Sequence, residues 1–461
     1  MTAREPILSD LPSPPRKLLG VTLACATLFA ASLSSGCASV RSRPSGSIVC
    51  TPTTLGGSGE SGINAIAADV RGGFALAGWF RGGTLGDGAG GNALQPSALR
   101  QGFVLRFDAQ GELKWARAFG GGEADAIFAL HFTADGDLVA AGLSRSAGFA
   151  VRMAGEDGEP HWQLQLPGND SHLRALAFDR NSDVWAIGAY AGTLAFPFGQ
   201  FVSQGEHDLL VIQFSGTSGA IRTAFTFGGL GNEQGRAIAV RADGSLVIAG
   251  EFGAGLNPGA GAIDFGVGPI ATHGDTDAFL AALNPSGDPL WVRTFGGTGN
   301  DELQSLVLAA DGDTLAVGHT QPSINYKGRN PHEAATFRAL AVRVGADGTV
   351  RWQRESSGGQ MVLQDLLLDA EGTIWTSGLA SNAVSFDREQ LTPRKATEAL
   401  LGRLGADGRA MEFQSCSAFD ASYGYSIARV GDDLLIAGLA SIFGRSSGFY
   451  WRTPATSPAA R

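Results

Sequence analysis

A short apolar run that ends in glycine recurs seven times along the chain. One copy reads Leu-Val-Ile-Ala-Gly and ends at Gly250. Neighbouring copies lie 46 to 68 residues apart, and their last residues are Gly78, Gly142, Gly188, Gly250, Gly318, Gly378 and Gly438. Apolar runs of this length, bounded by turn residues, are typical of β-strands, and their recurrence predicts a repeat architecture. The runs lack helical periodicity, which excludes a helical solenoid.

Three further strands complete each unit. A strand such as residues 236–240 precedes the glycine run and is joined to it by an Ala-Asp-Gly turn, where glycine accepts a positive φ. A third strand, such as residues 277–281, follows the run. The fourth strand carries tryptophan in four units, at Trp115, Trp162, Trp291 and Trp352. Four short strands per unit are typical of a β-propeller blade.

The two ends of the chain complement each other. The seventh unit stops after residues 448–452, before a fourth strand, and residues 47–57 have the pattern of the missing strand. We therefore expect an N-terminal strand to complete the last blade and close the ring, which also hides two sheet edges. The predicted fold is all-β: a seven-bladed β-propeller of four-stranded blades over residues 47–455, with a C-terminal tail at 456–461.

One unit carries a family pattern with particular clarity. Residues 278–318 combine an apolar strand, an Asn-Pro-Ser-Gly turn, an aromatic strand and Phe-Gly-Gly-x-Gly-Asn-Asp. This pattern resembles that of the bacterial seven-bladed β-propeller repeat family, and the resemblance extends over roughly residues 47–455. Glu412 and Thr223 depart from it, since they stand where the pattern has tryptophan. The resemblance implies the fold and an envelope or secreted setting. It implies no common reaction, so it assigns no catalytic residue.

An export signal precedes the repeats. Arg16 and Lys17 are followed by an apolar stretch at 18–31, which is shorter than the roughly 20 residues needed to cross a bilayer. The Leu-Ser-Ser-Gly-Cys sequence that ends at Cys37 resembles the lipobox of bacterial lipoproteins, although its leucine lies four rather than three residues before the cysteine. The resemblance implies a signal peptide at 1–36 and a diacylglycerol on the Cys37 sulfur.

The lipid anchor sets the expected location. Residues 37–46 would form a short linker, and acyl chains alone would hold the protein at the membrane. In lipoproteins of this kind an aspartate after the cysteine favours the inner membrane, and here Ala38 takes that position. We therefore expect the outer membrane, on either its periplasmic or its cell-surface side. The net charge of −10 gives no support for a nucleic-acid partner.

Two cysteines remain available for a disulfide. Of the four in the chain, Cys25 leaves with the signal peptide and Cys37 is the predicted site of lipid attachment. Cys50 and Cys416 then remain, in a compartment that permits disulfides. They fall in the outer strands of two neighbouring predicted blades, so we predict that they are bonded to each other.

An acidic residue occurs in six of the seven turns between units. Clustered carboxylates there could bind Ca²⁺ or a basic partner, whereas the alternative is that they accept backbone hydrogen bonds within glycine-rich turns. The six residues are Glu60, Glu123, Asp170, Glu233, Asp301 and Asp420. The seven histidines lack the spacing of a metal site, and no other cofactor is predicted.

The sequence contains no catalytic motif, so we expect a non-enzymatic envelope lipoprotein that acts as a binding or scaffold module for a protein or a glycan. Long connections between second and third strands are the expected binding loops, and Trp79, at the start of one, could stack on a sugar. Two alternatives remain open. One is a hydrolase or lyase that acts on an extracellular polymer at the propeller axis, where carboxylates or histidines would converge. The other is a purely structural envelope component.

Overall fold

The computed structural model of the chain describes residues 46–48, 50–85, 93–95, 99–168, 170–253, 255, 261–321 and 336–455. The predicted signal peptide, the predicted lipid attachment site Cys37, the linker up to residue 45 and the C-terminal tail lie outside the described residues. None of the described segments is a helix long and apolar enough to cross a membrane.

The described residues form 33 strands and no helix. Those of the N-terminal half are β1 (Gly46–Ile48), β2 (Thr53–Thr54), β3 (Glu60–Ala68), β4 (Phe74–Arg81), β5 (Gln101–Phe107), β6 (Leu113–Gly120), β7 (Ala126–Phe132), β8 (Leu138–Ser144), β9 (Ala147–Met153), β10 (Pro160–Gln165), β11 (Ser171–Phe178), β12 (Val184–Tyr190), β13 (Thr193–Phe196), β14 (Gly199–Val202), β15 (Asp208–Phe214) and β16 (Ile221–Phe227). Those of the C-terminal half are β17 (Asn232–Val240), β18 (Leu246–Gly253), β19 (Ala262–Asp264), β20 (Pro269–Ala271), β21 (Thr276–Leu283), β22 (Pro289–Phe295), β23 (Glu302–Leu308), β24 (Thr314–Thr320), β25 (Arg338–Val344), β26 (Val350–Leu368), β27 (Ile374–Phe386), β28 (Glu389–Leu391), β29 (Glu398–Leu404), β30 (Ala410–Cys416), β31 (Ala421–Val430), β32 (Asp433–Ile442) and β33 (Arg445–Pro454).

Each repeat unit folds into an antiparallel sheet in which successive strands pair as a meander. The first four sheets are β3-β4-β5-β6, β7-β8-β9-β10, β11-β12-β15-β16 and β17-β18-β21-β22. The small hairpins β13–β14 and β19–β20 lie in the connections between the second and third strands of their sheets. The first strand of every sheet lines a central cavity. Four-stranded meanders arranged in this way form a β-propeller repeat fold.

The fifth and sixth sheets share the long strand β26. Its N-terminal part pairs with β25, where Glu355 lies opposite Leu340, and its C-terminal part pairs with β27, where Met361 lies opposite Ala380. Gly358, with φ of 88°, lies between the two parts. The fifth sheet is therefore β23-β24-β25-β26, and the sixth is β26-β27-β29-β30 with β28 paired to the end of β27.

The N-terminal segment contributes to two sheets. β2 pairs antiparallel with β33, with Thr53 opposite Tyr450, and so forms the outermost strand of the sheet that contains β31, β32 and β33. The segment predicted as one strand at 47–57 is divided, since its start lies in β1, which pairs in parallel with β30 of the sixth sheet. Between β1 and β2, Cys50 forms a disulfide with Cys416 at the end of β30, and their Cα atoms are 5.4 Å apart.

The repeated glycine is explained by a β-bulge in the strand that pairs with it. In the second sheet the pairing of β7 with β8 shifts between Ile127 and Ala129, opposite Gly142. A Cβ atom on Gly142 would overlap the carbonyl oxygen of Ala126. The other six repeat glycines face a carbonyl oxygen, 15 or 16 residues upstream, in the same way. A side chain at this position would therefore force the two strands apart.

The repeated tryptophans hold neighbouring sheets together. The indole Nε1 of each donates a hydrogen bond to a backbone carbonyl in a turn of the next sheet, and the ring lies against the turn glycine there. For Trp162 the acceptor is the carbonyl of Gly216, at 2.9 Å, and the indole ring packs against Gly219. These four tryptophans thus have a packing role.

Candidate binding site in the central cavity

A cavity of about 1250 Å³ lies where the first strands of the sheets meet. Its walls contain residues from β3, β7, β11, β17, β23, β26 and β31. Ligand pockets commonly measure about 300–1,000 Å³, so this cavity is large enough to enclose a small ligand.

The β-bulge of each first strand places one side chain in the cavity wall. We call these the bulge residues, and they are Asn64, Phe128, Arg174, Arg236, Gln304, Gln364 and Tyr425. Bulges commonly re-aim a side chain next to a functional site. Two positions further along each strand, the wall is aliphatic, at Ile66, Leu130, Leu176, Ile238, Leu306, Leu366 and Ile427. The cavity therefore has a largely polar end and an apolar continuation.

Charged side chains concentrate on the part of the polar end formed by β11, β17, β18, β23 and β24. The guanidinium of Arg236 contacts both carboxylate oxygens of Glu251, at 2.8 and 3.0 Å, and its Nε lies 2.6 Å from a carboxylate oxygen of Glu302. The other carboxylate oxygen of Glu302 lies 3.9 Å from Nε2 of His319. These residues form the polar cluster together with His172 and Arg174, which come from β11.

Burial and mutual proximity alter the ionisation of the polar cluster. Burial raises the pKa of Glu251 to about 7, and the nearby carboxylate of Glu302 adds to the increase although Arg236 opposes it. For Arg236, burial disfavours the charge, but Glu251 and Glu302 more than offset this effect, so its pKa lies above the ordinary value. The positive charge of Arg236 is thus fully balanced by its two carboxylate partners.

Arg174 differs from Arg236 in having no carboxylate within ion-pair distance among the described residues. Its guanidinium lies 4.1 Å from the ring centre of Phe128, and its Nε is buried without a hydrogen-bond partner in that part of the chain. Burial, followed by the charge of Arg236, lowers the pKa of Arg174 to about 9. Its positive charge is therefore only partly offset within the cavity.

Two buried histidines beside these groups also have unused polar atoms. Nε2 of His172 and Nδ1 of His319 are buried and lack partners among the described residues, and both side chains line the cavity. Burial, together with the charge of Arg174, holds the pKa of His172 well below its ordinary value. Burial also lowers the pKa of His319, to about 4. Both imidazoles are therefore neutral at neutral pH and can donate and accept hydrogen bonds.

The six acidic turn residues do not form one set. Glu233 and Asp301 are fully buried and accept hydrogen bonds from backbone N–H groups of their own turns, those of Gly229 at 3.0 Å and Gly297 at 2.7 Å. Burial raises the pKa of Asp301 to about 6 although these backbone bonds oppose it. In these two turns the carboxylates therefore accept hydrogen bonds from the turn backbone.

The remaining acidic residues lie at the surface. Glu60 forms an ion pair with Arg81 at 2.7 Å, and a carboxylate oxygen of Asp170 lies 3.0 Å from Nε2 of His207. Glu123 and Asp420 are exposed. Within the described residues, no group of three or more His, Cys, Asp or Glu side chains is placed to hold a metal ion, so the Ca²⁺ hypothesis has no ligand set there.

The second unit shows why these residues could not be aligned from sequence. The structural counterpart of Asp301 there is Asp125 rather than Glu123, since the Asp125 carboxylate accepts hydrogen bonds from the N–H groups of Gly121 and Gly122, at 2.7 and 2.8 Å. Glu123 is exposed and Asp125 is buried in the same turn, so a shift of two positions there changes the environment of the carboxylate completely.

The buried carboxylate of Glu233 predicts a pH-dependent stability. Burial raises its folded-state pKa from 4.5 to about 8. Below pH 4.5 the group is protonated in both states. Between pH 4.5 and 8 it ionises only in the unfolded state, so it lowers stability by up to about 1.4 kcal/mol per pH unit. We expect Glu233→Gln to raise the free energy of unfolding at pH 8 and to leave it nearly unchanged at pH 4.

Denaturant titrations at both pH values test this prediction. Glu60→Gln is the matched control, because Glu60 lies in a partly exposed ion pair that contributes little. Equal unfolding midpoints for wild type and Glu233→Gln at pH 8 would show that Glu233 is ionised in the folded protein.

The residues of the polar cluster share positions relative to the repeat glycine that sequence reasoning overlooked. Arg174 and Arg236 lie 14 residues before Gly188 and Gly250, whereas Glu251 immediately follows Gly250. Trp79 directly follows Gly78, as Glu251 follows Gly250. It is not part of the cavity wall, because the guanidinium of Arg100, 4.3 Å from the ring centre, covers its indole. Counting from the glycine would have identified these positions.

Comparison with known proteins adds weak similarities. Neither a protein-family model nor a curated protein matches the chain. The WD40 domain of Pan2 from Neurospora crassa is similar with a TM-score of 0.48 and 10% identity, over 90% of this chain and 99% of that one. Sqt1 from Chaetomium thermophilum has a TM-score of 0.46 and 11% identity, over 88% of this chain and 100% of that one. YCF48 bound to a D1 peptide has a TM-score of 0.44 and 11% identity, over 90% and 100% of the two chains. At these scores the fold is assigned from the sheets and their pairing.

Proposed function

We propose that the protein is a non-enzymatic binding module of the bacterial envelope, built on a seven-bladed propeller and anchored by a lipid on Cys37. The observation that carries this proposal is the polar cluster. It places buried polar atoms of Arg174, His172 and His319, which have no partner among the described residues, in the wall of a 1250 Å³ cavity. Buried polar groups are normally hydrogen-bonded, so a site that leaves several of them open favours an added ligand or water.

Contacts between the last and first sheets support a closed ring of seven blades. The N–H of Gly448 in β33 donates to Oγ of Ser61 in β3, at 3.0 Å, and the N–H of Ile66 donates to Oγ of Ser426 in β31, at 3.3 Å. One hydrophobic cluster combines residues of β3, β4 and β5 with residues of β31 and β32. Such packing of first and last sheets is expected only if the ring closes.

The envelope location rests on two features. The lipobox-like sequence that ends at Cys37 supports export and acylation. The disulfide between Cys50 and Cys416 fits the oxidising compartments outside the cytoplasm. The intact mass of the protein from native membranes tests the anchor. A chain that begins at a triacylated Cys37 is expected, and an unmodified mature chain would contradict the proposed anchor.

A polymer-degrading enzyme is the second candidate function. Carboxylates and a histidine do converge in the cavity, as expected for such an enzyme, at Glu251, Glu302 and His319. However, both carboxylates contact the same guanidinium, that of Arg236, so neither is poised as a separate acid, base or nucleophile. This shared ion pair with Arg236 favours a binding function over a catalytic one.

The binding function can be tested by blocking the cavity. Full-length protein in detergent is screened on arrays of oligosaccharides and of peptides, beside Gln304→Trp, which places a large ring in the cavity wall. The matched control is Val202→Trp, on the exposed hairpin strand β14. We expect Gln304→Trp alone to lose the ligand that the wild type retains. Equal retention by both variants would contradict the proposal, and release of cleaved polymer would establish the enzyme.

A further inference from the structure

The polar cluster contains one arginine, Arg174, that makes no direct ion pair within the described residues. Arg236 contacts both Glu251 and Glu302. Arg174 lines the same cavity and has no carboxylate within 4.0 Å in the described part of the chain. Glu251 and Glu302 offset its charge only in part, from beyond ion-pair distance. A buried guanidinium without a direct partner is costly, because charges in low-dielectric surroundings are stabilised best when they are paired and hydrogen-bonded. A negatively charged ligand group would supply the missing partner.

The position of Arg174 suits recognition of a planar anion. Its guanidinium lies over Phe128, 4.1 Å from the ring centre, and such stacking restricts the orientation of the group. A guanidinium of fixed orientation pairs with a carboxylate through two parallel N–H···O bonds. Nε2 of His172, buried beside it and without a partner among the described residues, adds a further polar contact.

The charge of the anion is limited by the neighbouring carboxylates. Glu251 and Glu302 are close enough to Arg174 to influence its ionisation. A dianion such as a phosphate monoester would therefore be repelled more strongly than a monoanion. One carboxylate matches Arg174, the guanidinium of the polar cluster that has no direct ion pair among the described residues.

The rest of the wall favours a ligand that carries hydroxyl groups on an otherwise apolar body. The bulge residues Gln304 and Gln364 offer carboxamides, which both donate and accept hydrogen bonds. The adjacent aliphatic side chains, such as those of Leu176 and Leu306, offer an apolar surface. Carbohydrates combine hydroxyl edges with apolar C–H faces, and they match this arrangement.

We propose that the polar end of the cavity binds an acidic sugar. The carboxylate of a uronic acid unit pairs with Arg174, and its hydroxyl groups bond to the carboxamides of Gln304 and Gln364. This inference rests on the proposed binding function and specifies its ligand as a glycan with carboxylate groups.

The test compares a charged sugar with an uncharged copy of it. Trigalacturonate and its full methyl ester have the same ring hydroxyl groups, and only the former carries carboxylates. Isothermal titration of the full-length protein in detergent is expected to show roughly 10- to 100-fold tighter binding of the acid, from one charge-assisted pair. Equal affinity for acid and ester would overturn the inference.

Two arginine variants locate the charge recognition. Arg174→Gln is expected to bind acid and ester alike, whereas Arg180→Gln, on an exposed turn of the same sheet, retains the preference. Arg174 has no ion pair in the described residues, so its replacement is expected to leave the thermal midpoint of the protein unchanged or higher. A preference for the acid that persists in a folded Arg174→Gln variant would overturn the assignment.

Failure of the inference and failure of the proposed function give different results. If the wild type binds neither form of the sugar but retains a peptide that Gln304→Trp loses, the acidic-sugar inference is wrong and the binding function stands. If trigalacturonate is bound through Arg174 and then cleaved, the inference stands and the non-enzymatic function is wrong.

Discussion

Removal of the disulfide between Cys50 and Cys416 is expected to lower the free energy of unfolding by as much as about 5 kcal/mol. The bond joins residues 366 positions apart, so it closes a very long loop of the unfolded chain and restricts its conformations. In the folded protein it also fixes the N-terminal segment to β30, beside the parallel pairing of β1. The double variant Cys50→Ser/Cys416→Ser should therefore unfold at a much lower denaturant concentration than the wild type.

The control for this prediction is treatment with a reducing agent. Reduction should shift the unfolding midpoint of the wild type towards that of the double variant, and it should leave the double variant unchanged. A mass spectrum of non-reduced peptides that shows two free thiols, with no effect of reduction on the midpoint, would contradict the disulfide.

Gly142→Ala is expected to destabilise the protein by roughly 2–4 kcal/mol, although it adds a single methyl group. The new Cβ would overlap the carbonyl oxygen of Ala126, and that oxygen belongs to backbone that the bulge at Ile127 holds in place. The strands β7 and β8 must separate to accommodate it, which weakens their pairing and the core on both sides. The bulge opposite Gly142 carries Phe128, which stacks on Arg174 of the polar cluster, so the effect is measured as a change in stability rather than in ligand binding.

Gly199→Ala is the matched control. Gly199 begins the exposed strand β14, and a Cβ atom there meets no atom within 4 Å. Chemical denaturation of both variants measures the difference. If Gly142→Ala and Gly199→Ala unfold at the same denaturant concentration, the bulge and the repeat glycine are not coupled as described.

The strands and their repetition were predictable because they depend on local patterns. Apolar runs that end in Gly142 or Gly250 occupy second strands, and turn glycines lie where hairpins require them. The repeated tryptophans also lie in fourth strands, as the pattern predicts, with Trp162 in β10. These features follow from β-strand periodicity and turn chemistry, which act over a few residues.

The bulges were not predictable from the same patterns. A bulge sets two residues of one strand against one residue of its partner, so it depends on the pairing of two strands rather than on either sequence. Glu123 and Asp125 both lie in the turn before β7, and only the structure shows that Asp125 is the one that accepts the hydrogen bonds of the turn backbone. The division of residues 47–57 between β1 and β2 was not predictable, because the partner of β1, β30, lies more than 360 residues away in the chain.

The polar cluster could not be predicted from the sequence, because its residues come from three different sheets. His172, Glu251 and Glu302 come from β11, β18 and β23, and no fixed spacing relates them. His172 and Glu302 both lie 16 residues before their repeat glycines, whereas Glu251 directly follows its own, and these offsets become meaningful only once the bulge is known. In repeat folds of this kind, functional positions are best compared between units rather than along the chain.

The most direct test of the binding site is a crystal structure of the protein with trigalacturonate in its cavity. We predict electron density for a sugar at the polar end, with a carboxylate paired to Arg174 and hydroxyl groups within hydrogen-bond distance of Gln304. A cavity that stays free of the sugar, or a sugar bound only at the outer loops, would contradict this account.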